Sequence, residues 1–314
     1  MRYFMELQGK KYFVTSDIHS FYTEFKLALD DAGFDIKNKN HILIVCGDLF
    51  DRGGETLETY KFIKSIPKSR RILIRGNHEY LLRDLVYKDY KEIYSAPHHL
   101  SNGTVKTVCQ LAGYDQGTIE YIDYEFRAFI YGLDISTNAL NLWYKAIDKV
   151  KKSKILDWIF GDEWVDYYEV DNFIFTHAFI PLLIPGWEHM YTCPENLLEY
   201  MPNWRIKANA FDLEQSTWGC PWKLYQAGLF DKEKKNGKIL VCGHWHAYDA
   251  KINLAHKRFS KPHFDFSIFF SNNLVMLDAC TAFSKQVNIL VIEDGICYDK
   301  YHNKLITEIP EEQK

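Results

Sequence analysis

The sequence predicts an α/β chain with a mostly parallel sheet that gathers its chemistry at the carboxyl ends of the strands. The first observation is a set of five clusters of ligand-type residues in one order: Asp17-Ile18-His19, Gly47-Asp48 with Asp51-Arg52-Gly53, Gly76-Asn77-His78-Glu79, His177, and Gly243-His244-Trp245-His246. The second is that each cluster follows a short apolar run that reads as a buried strand, at 12–15, 42–46, 72–74, 173–176 and 239–242. The third is that the first three strand–loop units each lead into a helical pattern, which implies helical crossovers between parallel strands. Open α/β sheets place their active sites at such strand ends. A loop Asp or a strand-end His is common when met singly; here order, strand context and flanking glycines agree from residue 17 to residue 246.

Taken along the chain, Phe21, Phe25, Ala28, Leu29 and Ala32 repeat at helical spacing after the first loop, and Gly33 closes that helix as a C-cap. The same logic predicts helices over 55–65 and 79–89. Near residue 90 the chain turns dense in Tyr, Phe and Trp without alternating strands, and it stays so to residue 171. Ile119, Ile122, Phe126, Phe129 and Ile130 share one helical face, as do Leu142, Trp143, Ala146, Ile147 and Val150. The stretch 90–171 is therefore read as a helical insertion and a candidate cap over the substrate cleft, its aromatic stripes serving as core. Residues 184–237, rich in Trp, Pro and Asn, read as packed loops with short helices. Strands are expected at 273–277 and 287–292, with a turn at Asp294-Gly295 and a disordered tail at 310–314. The whole, 1–314, is expected to be a single domain carrying that insertion.

Composition narrows the function classes. A chain of 314 residues with 47% hydrophobic content can bury a large core. A net charge of -4 without a long basic run argues against a nucleic-acid surface as the main activity. Seven cysteines, an odd number with no C-x-x-C pair, make neither a metal ribbon nor a disulfide framework. Cys46, Cys242 and Cys280 lie in or beside apolar strands and read as small buried hydrophobes of a reducing compartment. The first eleven residues show no signal-peptide pattern, and no window approaches the roughly 18 apolar residues of a membrane span. A cytoplasmic protein with no membrane partner is the expectation.

Gly47-Asp48-Leu49-Phe50-Asp51-Arg52-Gly53 and Gly76-Asn77-His78-Glu79 match the GDxxDRG and GNHE motifs. In tandem they resemble the calcineurin-like metallophosphoesterase superfamily, and its phosphoprotein phosphatase branch in particular. The resemblance covers 11–84 almost continuously and then islands at 173–181, 239–249 and 274–293. It implies a four-layer β-sandwich flanked by helices, with two metal ions side by side. By resemblance Asp48 bridges the ions, Asp17, His19 and His246 complete the first site, and Asn77, His177 and His244 complete the second. His78 resembles the general acid, oriented by Asp51, while Arg52 clamps phosphoryl oxygens and Asn77 joins it in binding phosphate. His246 departs from the eukaryotic protein phosphatases, where only the first histidine of that motif is found, and Phe179 stands near a position where the branch often has Gly. The branch's second phosphate-binding arginine has no assigned counterpart, although Arg75 and Arg205 are available.

Two divalent ions held close together can share a bridging hydroxide and polarise the phosphoryl oxygens, the two-metal route to phosphoester hydrolysis. The mixed oxygen and nitrogen set suits Mn first, with Fe, Zn or Co also fitting, rather than Mg or Ca. A Ser/Thr protein phosphatase-like phosphomonoesterase acting on a phosphorylated protein is the leading expectation. A dinucleoside polyphosphate hydrolase, of the diadenosine tetraphosphate type, shares every motif used. A catalytically weak interaction scaffold is the third reading, and the full complement of ligands with His78 and Arg52 speaks against it.

Overall fold

The computed structural model describes residues 9–88, 91, 97–186, 189–254, 264–271 and 273–305. The strands are β1 (Lys11–Thr15), β2 (His41–Cys46), β3 (Arg71–Ile74), β4 (Trp164–Val165), β5 (Tyr167–Val170), β6 (Phe173–Thr176), β7 (Leu182–Leu183), β8 (Glu199–Tyr200), β9 (Ile239–Cys242), β10 (Phe269–Ser271), β11 (Leu274–Met276), β12 (Leu290–Glu293) and β13 (Ile296–Tyr298). One sheet has six strands in the order β13-β12-β1-β2-β3-β4, and a second has five in the order β10-β11-β9-β6-β5. Strands β1 to β4 run parallel, with Val14 opposite Ile44 and Cys46 opposite Ile74. In the second sheet β6, β9 and β11 are parallel, and the outer strands β5 and β10 are antiparallel to their neighbours.

Alternation of side chains makes the layers. On β1 and β2, Tyr12, Val14, Ile42, Ile44 and Cys46 meet Phe173, Phe175, Ile239 and Val241 of the other sheet. The residues between them, Phe13, Leu43 and Val45, face outward into a core shared with helices. Ile174, Leu240 and Cys242 do the same on the far side. Each of these strands is covered on both faces, which is why it reads as a continuous apolar run rather than an alternating one. The result is the helix–sheet–sheet–helix sandwich expected.

Helices α1 (Tyr22–Asp31), α2 (Thr56–Ser65) and α3 (Asn77–Tyr87) follow the first three strands. Gly33 closes α1 with φ +80°, a conformation that disfavours any side chain. Helix α3 starts two residues earlier than the sequence suggests, so Asn77 and His78 lie in its first turn. The insertion contains α4 (His98–Ser101), α5 (Thr104–Leu111), α6 (Gln116–Ile130), α7 (Thr137–Ser153) and α8 (Ile155–Ile159). Ile119, Ile122, Phe126, Trp143, Ala146 and Val150 are buried in the same core as Phe13 and Leu43. Residues 89, 90 and 92–96, at the insertion's expected start, and the tail 310–314 lie outside the described residues.

The helical run does not reach residue 171. It ends at Ile159, and β4 and β5 occupy what the sequence analysis assigns to helix. Strand β4 joins the first sheet beside β3, while β5 joins the second beside β6, so the chain passes between sheets at Asp166. These strands are two and four residues long, too short to show a period. Arg75 pins the crossing, with Nη1 2.9 Å from Asp166 Oδ1 and further bonds to the carbonyls of Ile159, Gly161 and Trp164. Among the described residues no helix is long and apolar enough to cross a membrane.

Candidate metal centre and active site

The loops leaving β1, β2, β3, β6 and β9 converge at one end of the sandwich. Backbone bonds tie the first two together: Asp17 N to Gly47 O, 3.1 Å, His19 N to Asp48 O, 3.0 Å, and Ser20 N to Leu49 O, 2.9 Å. Asp17, His19, Asp48, Asp51, Arg52 and His244 all have left-handed backbone, with φ between 51° and 76°. Side-chain residues are uncommon there, and such strain gathers at functional sites. Two glycines give the loops room. A Cβ on Gly76 would stand 2.2 Å from Asp48 Oδ1, and one on Gly243 would stand 2.0 Å from Asp17 Oδ2.

Side chains of His19, Asp48 and His78 bring ligand-type atoms within 4.8 Å of one another, and those of Asp48, His177 and His244 do the same. Asp48 belongs to both groups. Its Oδ2 is 3.6 Å from His19 Nε2, and its Oδ1 is 3.3 Å from His177 Nε2 while accepting from His78 N at 3.0 Å. Asp17 Oδ1 faces His19 Nε2 at 3.9 Å, and its other oxygen accepts from His244 N at 2.9 Å.

Tautomers and electrostatics test whether this set suits cations. His19 Nδ1 donates to Phe50 O and His177 Nδ1 donates to Cys46 O, each at 2.9 Å, which leaves the Nε2 lone pairs pointing inward. His177 Nε2 is 2.9 Å from Asn77 Oδ1, so two lone pairs face each other. His244 Nε2 is buried with no hydrogen-bond partner among the described residues. Burial, followed by Arg52 and the His78 ring for His19 and by the His177 ring for His244, pushes both imidazoles well below their usual range. Burial pushes the Asp48 carboxyl well up. Neutral imidazoles and converging acceptors in a dry site are what a divalent cation satisfies.

Beside this set, His78 Nδ1 is 2.7 Å from Asp51 Oδ2, and Arg52 Nη2 is 3.5 Å from His78 Nε2. Arg52 is exposed at the rim. Glu79 is a buried tie rather than a ligand. Its carboxylate accepts from the backbone N–H groups of Asp48 and Leu49, each at 3.0 Å, and of Gly76, at 2.7 Å.

His246 is not brought into either group. Its Nδ1 is 3.4 Å from Asp249 Oδ2 and its Nε2 is 4.0 Å from Asp278 Oδ2. Hydrogen bonds with Asp249 and Cys280 push its pKa up to about 11. Burial, with Asp17 nearby, pushes Asp278 up to about 7. Phe179 is buried against Phe230. Arg75 is taken up by the crossing at Asp166, and Arg205 by Glu233 and Glu169, so both have structural partners.

The insertion supplies contacts the sequence does not announce. Thr104 Oγ1 donates to Asp51 Oδ2 at 2.8 Å, Asn102 O accepts from Arg52 N at 3.1 Å, and Gln110 Nε2 donates to Gly53 O at 3.2 Å. Three successive loop residues, Asp51 to Gly53, are thus held from residues 102–110. Asp51 and Thr104 lie 53 positions apart, and no spacing or motif links them.

A carboxylate shared between two imidazole-bearing groups at the strand ends of a sandwich suits a pair of divalent ions. The chain belongs to the calcineurin-like phosphoesterase family, whose model matches residues 10–248. It is 40% identical over 68 residues to a symmetrical bis(5'-nucleosyl)-tetraphosphatase of Buchnera aphidicola subsp. Acyrthosiphon pisum, covering 22% of this chain and 23% of that protein. A protein of the same description from Psychromonas ingrahamii is 39% identical over 67 residues, 21% of this chain and 23% of that one. The chain thus spans about a quarter of the length of these curated relatives. A solved cold-active protein-tyrosine phosphatase of a psychrophilic Shewanella covers 95% of this chain and 80% of its own, at 13% identity and a TM-score of 0.45.

Proposed function

We propose that the protein hydrolyses phosphoanhydride or phosphoester bonds of dinucleoside polyphosphates with two divalent ions, Mn first among them. The observation that carries the two-ion reading is Asp48, whose two oxygens face two different groups of imidazoles. Asp17, His19 and Asp48 would hold one ion, and Asp48, Asn77, His177 and His244 the other. Ions bound there would supply Lewis acidity for the phosphoryl oxygens and for an attacking water. Arg52, exposed at the rim, binds phosphoryl oxygens through its planar fork. His78 donates its Nδ1–H to Asp51, and in its imidazolium form, held by that carboxylate, it would give the Nε2 proton to the departing oxygen and be left neutral. The nucleotide class is supported by the activity named for the two relatives above.

The test is a substrate panel with chelator-stripped, Mn-restored enzyme: diadenosine tetraphosphate, phosphoserine and phosphotyrosine peptides, and nucleotide monophosphates. Chelation should abolish turnover and Mn should restore it. The tetraphosphate should have the highest kcat/KM. Activity in excess chelator refutes the metal role, and a phosphopeptide as the best substrate returns the protein to the phosphoprotein phosphatase reading.

A further inference from the structure

Beside the metal centre stands a group of aromatic rings that the chemistry above does not use. Phe264 and Phe266 are stacked at 5.9 Å with 12° between their planes, and Phe283 meets both edge-on, at 5.7 Å and 5.9 Å. Tyr248 closes the group at 5.3 Å from Phe264 and 5.6 Å from Phe266. Phe266 is buried, but Phe264 and Phe283 are 55% and 66% exposed. Two exposed phenyl rings supported by other rings are a poor use of apolar surface unless something covers them.

Their position relative to the ligands is fixed. Phe283 lies in the short helix Thr281–Ser284, whose first residue donates through Thr281 Oγ1 to Asp17 O at 3.0 Å. Tyr248 lies in the helix Ala247–Asn253, whose Ala247 N donates to Asp278 O at 2.8 Å. The His246 ring is 6.3 Å from Phe266 and bridges the group to the motif that supplies His244. The platform is therefore contiguous with the first-ion side of the centre.

We infer that Tyr248, Phe264, Phe266 and Phe283 form a stacking platform for one base of the substrate, adjacent to the scissile phosphates. The inference rests on the nucleotide reading above. Phenyl rings offer a face and no hydrogen bonds, so the platform holds any base by its π-face and ignores its edge. A monoester without a ring gains nothing from it. The platform thus favours nucleotide ends over small phosphoesters while tolerating adenine, guanine or a pyrimidine.

The experiment compares kcat/KM for diadenosine tetraphosphate, p-nitrophenyl phosphate and a phosphoserine peptide in Phe283→Ala, Phe264→Ala and Phe283→Trp. Both alanine variants remove exposed rings, so the fold is retained. The ratio of tetraphosphate to p-nitrophenyl phosphate should fall about 5- to 150-fold, the range that base–aromatic stacking supplies, chiefly through KM. Phe283→Trp should keep the wild-type ratio. Diguanosine tetraphosphate should suffer the same loss. An unchanged ratio overturns the platform, and so does an equal loss on the phosphopeptide, which would make the patch a peptide surface. A wild-type enzyme that leaves the tetraphosphate uncut fails before any substitution and overturns the nucleotide reading along with the platform.

Discussion

Thr104→Val isolates what residues 102–110 do for His78, the proposed general acid. The substitution keeps the shape of a side chain with no exposed surface and removes only the hydroxyl that donates to Asp51 Oδ2 at 2.8 Å. The other Asp51 oxygen is buried without a partner among the described residues, so the carboxylate would be left with the His78 bond as its one side-chain anchor. A hydrogen bond to a charged group is worth about 1.5–3 kcal/mol. Expressed wholly in the transition state, that is roughly 10- to 150-fold in rate, below the ceiling of roughly 10² to 10⁴ for general acid catalysis. The expected outcome is a kcat loss of about tenfold on phosphomonoesters with basic leaving groups. The loss should shrink steadily as the leaving group becomes more acidic, and KM should stay near its original value. Thr104→Ser should restore most of the rate. Equal losses across the leaving-group series, or no recovery with Ser, would show that Thr104 acts only through packing.

His78→Asn should slow an alkyl phosphoester far more than p-nitrophenyl phosphate with metal content unchanged, and loss of bound metal by elemental analysis would recast His78 as a ligand. Asp48→Asn should lower the occupancy of both ions together, since both groups of ligands share that carboxylate; loss of one ion alone would place the bridge elsewhere. His99, in α4, is buried, and burial followed by the His98 charge lowers its pKa from 6.5 to about 4. The fold favours the neutral ring, so the stability is complete above about pH 6.5 and is lost as pH falls toward 4, by about 3 kcal/mol. Denaturant titrations at pH 7.5 and 4.5 should show that loss, and His99→Leu should flatten it. An identical pH slope in the variant would refute the assignment.

The strands and the ligand loops were legible because both leave local marks. Five apolar runs and the polar residues after them needed no tertiary knowledge, and Phe173–Thr176 and Ile239–Cys242 match to the residue. The early start of α3 was hidden because Asn77 and His78 are chosen for chemistry rather than helix propensity. Glu79 had a faint signal as the N3 residue of a helix start, where it caps Gly76, but its bonds to Asp48 and Leu49 depend on a loop 30 residues away. Thr104 had none. His246 reads as a ligand by its motif; its partners Asp249, on the following turn, and Asp278, from another strand end, leave no such mark.

The left-handed residues of the centre carry a stability cost of their own. Asp17, His19, Asp48, Asp51, Arg52 and His244 each hold a conformation that costs a side chain about 1 kcal/mol and glycine almost nothing. Together they amount to roughly 6 kcal/mol, comparable with the 5–15 kcal/mol that keeps an ordinary domain folded. Glycine would relax the backbone at each position but lose the side chain's own bonds, those of Asp51 with Thr104 and His78 and of Asp17 with His244 N among them. The centre's backbone strain is thus offset by the bonds its own side chains make.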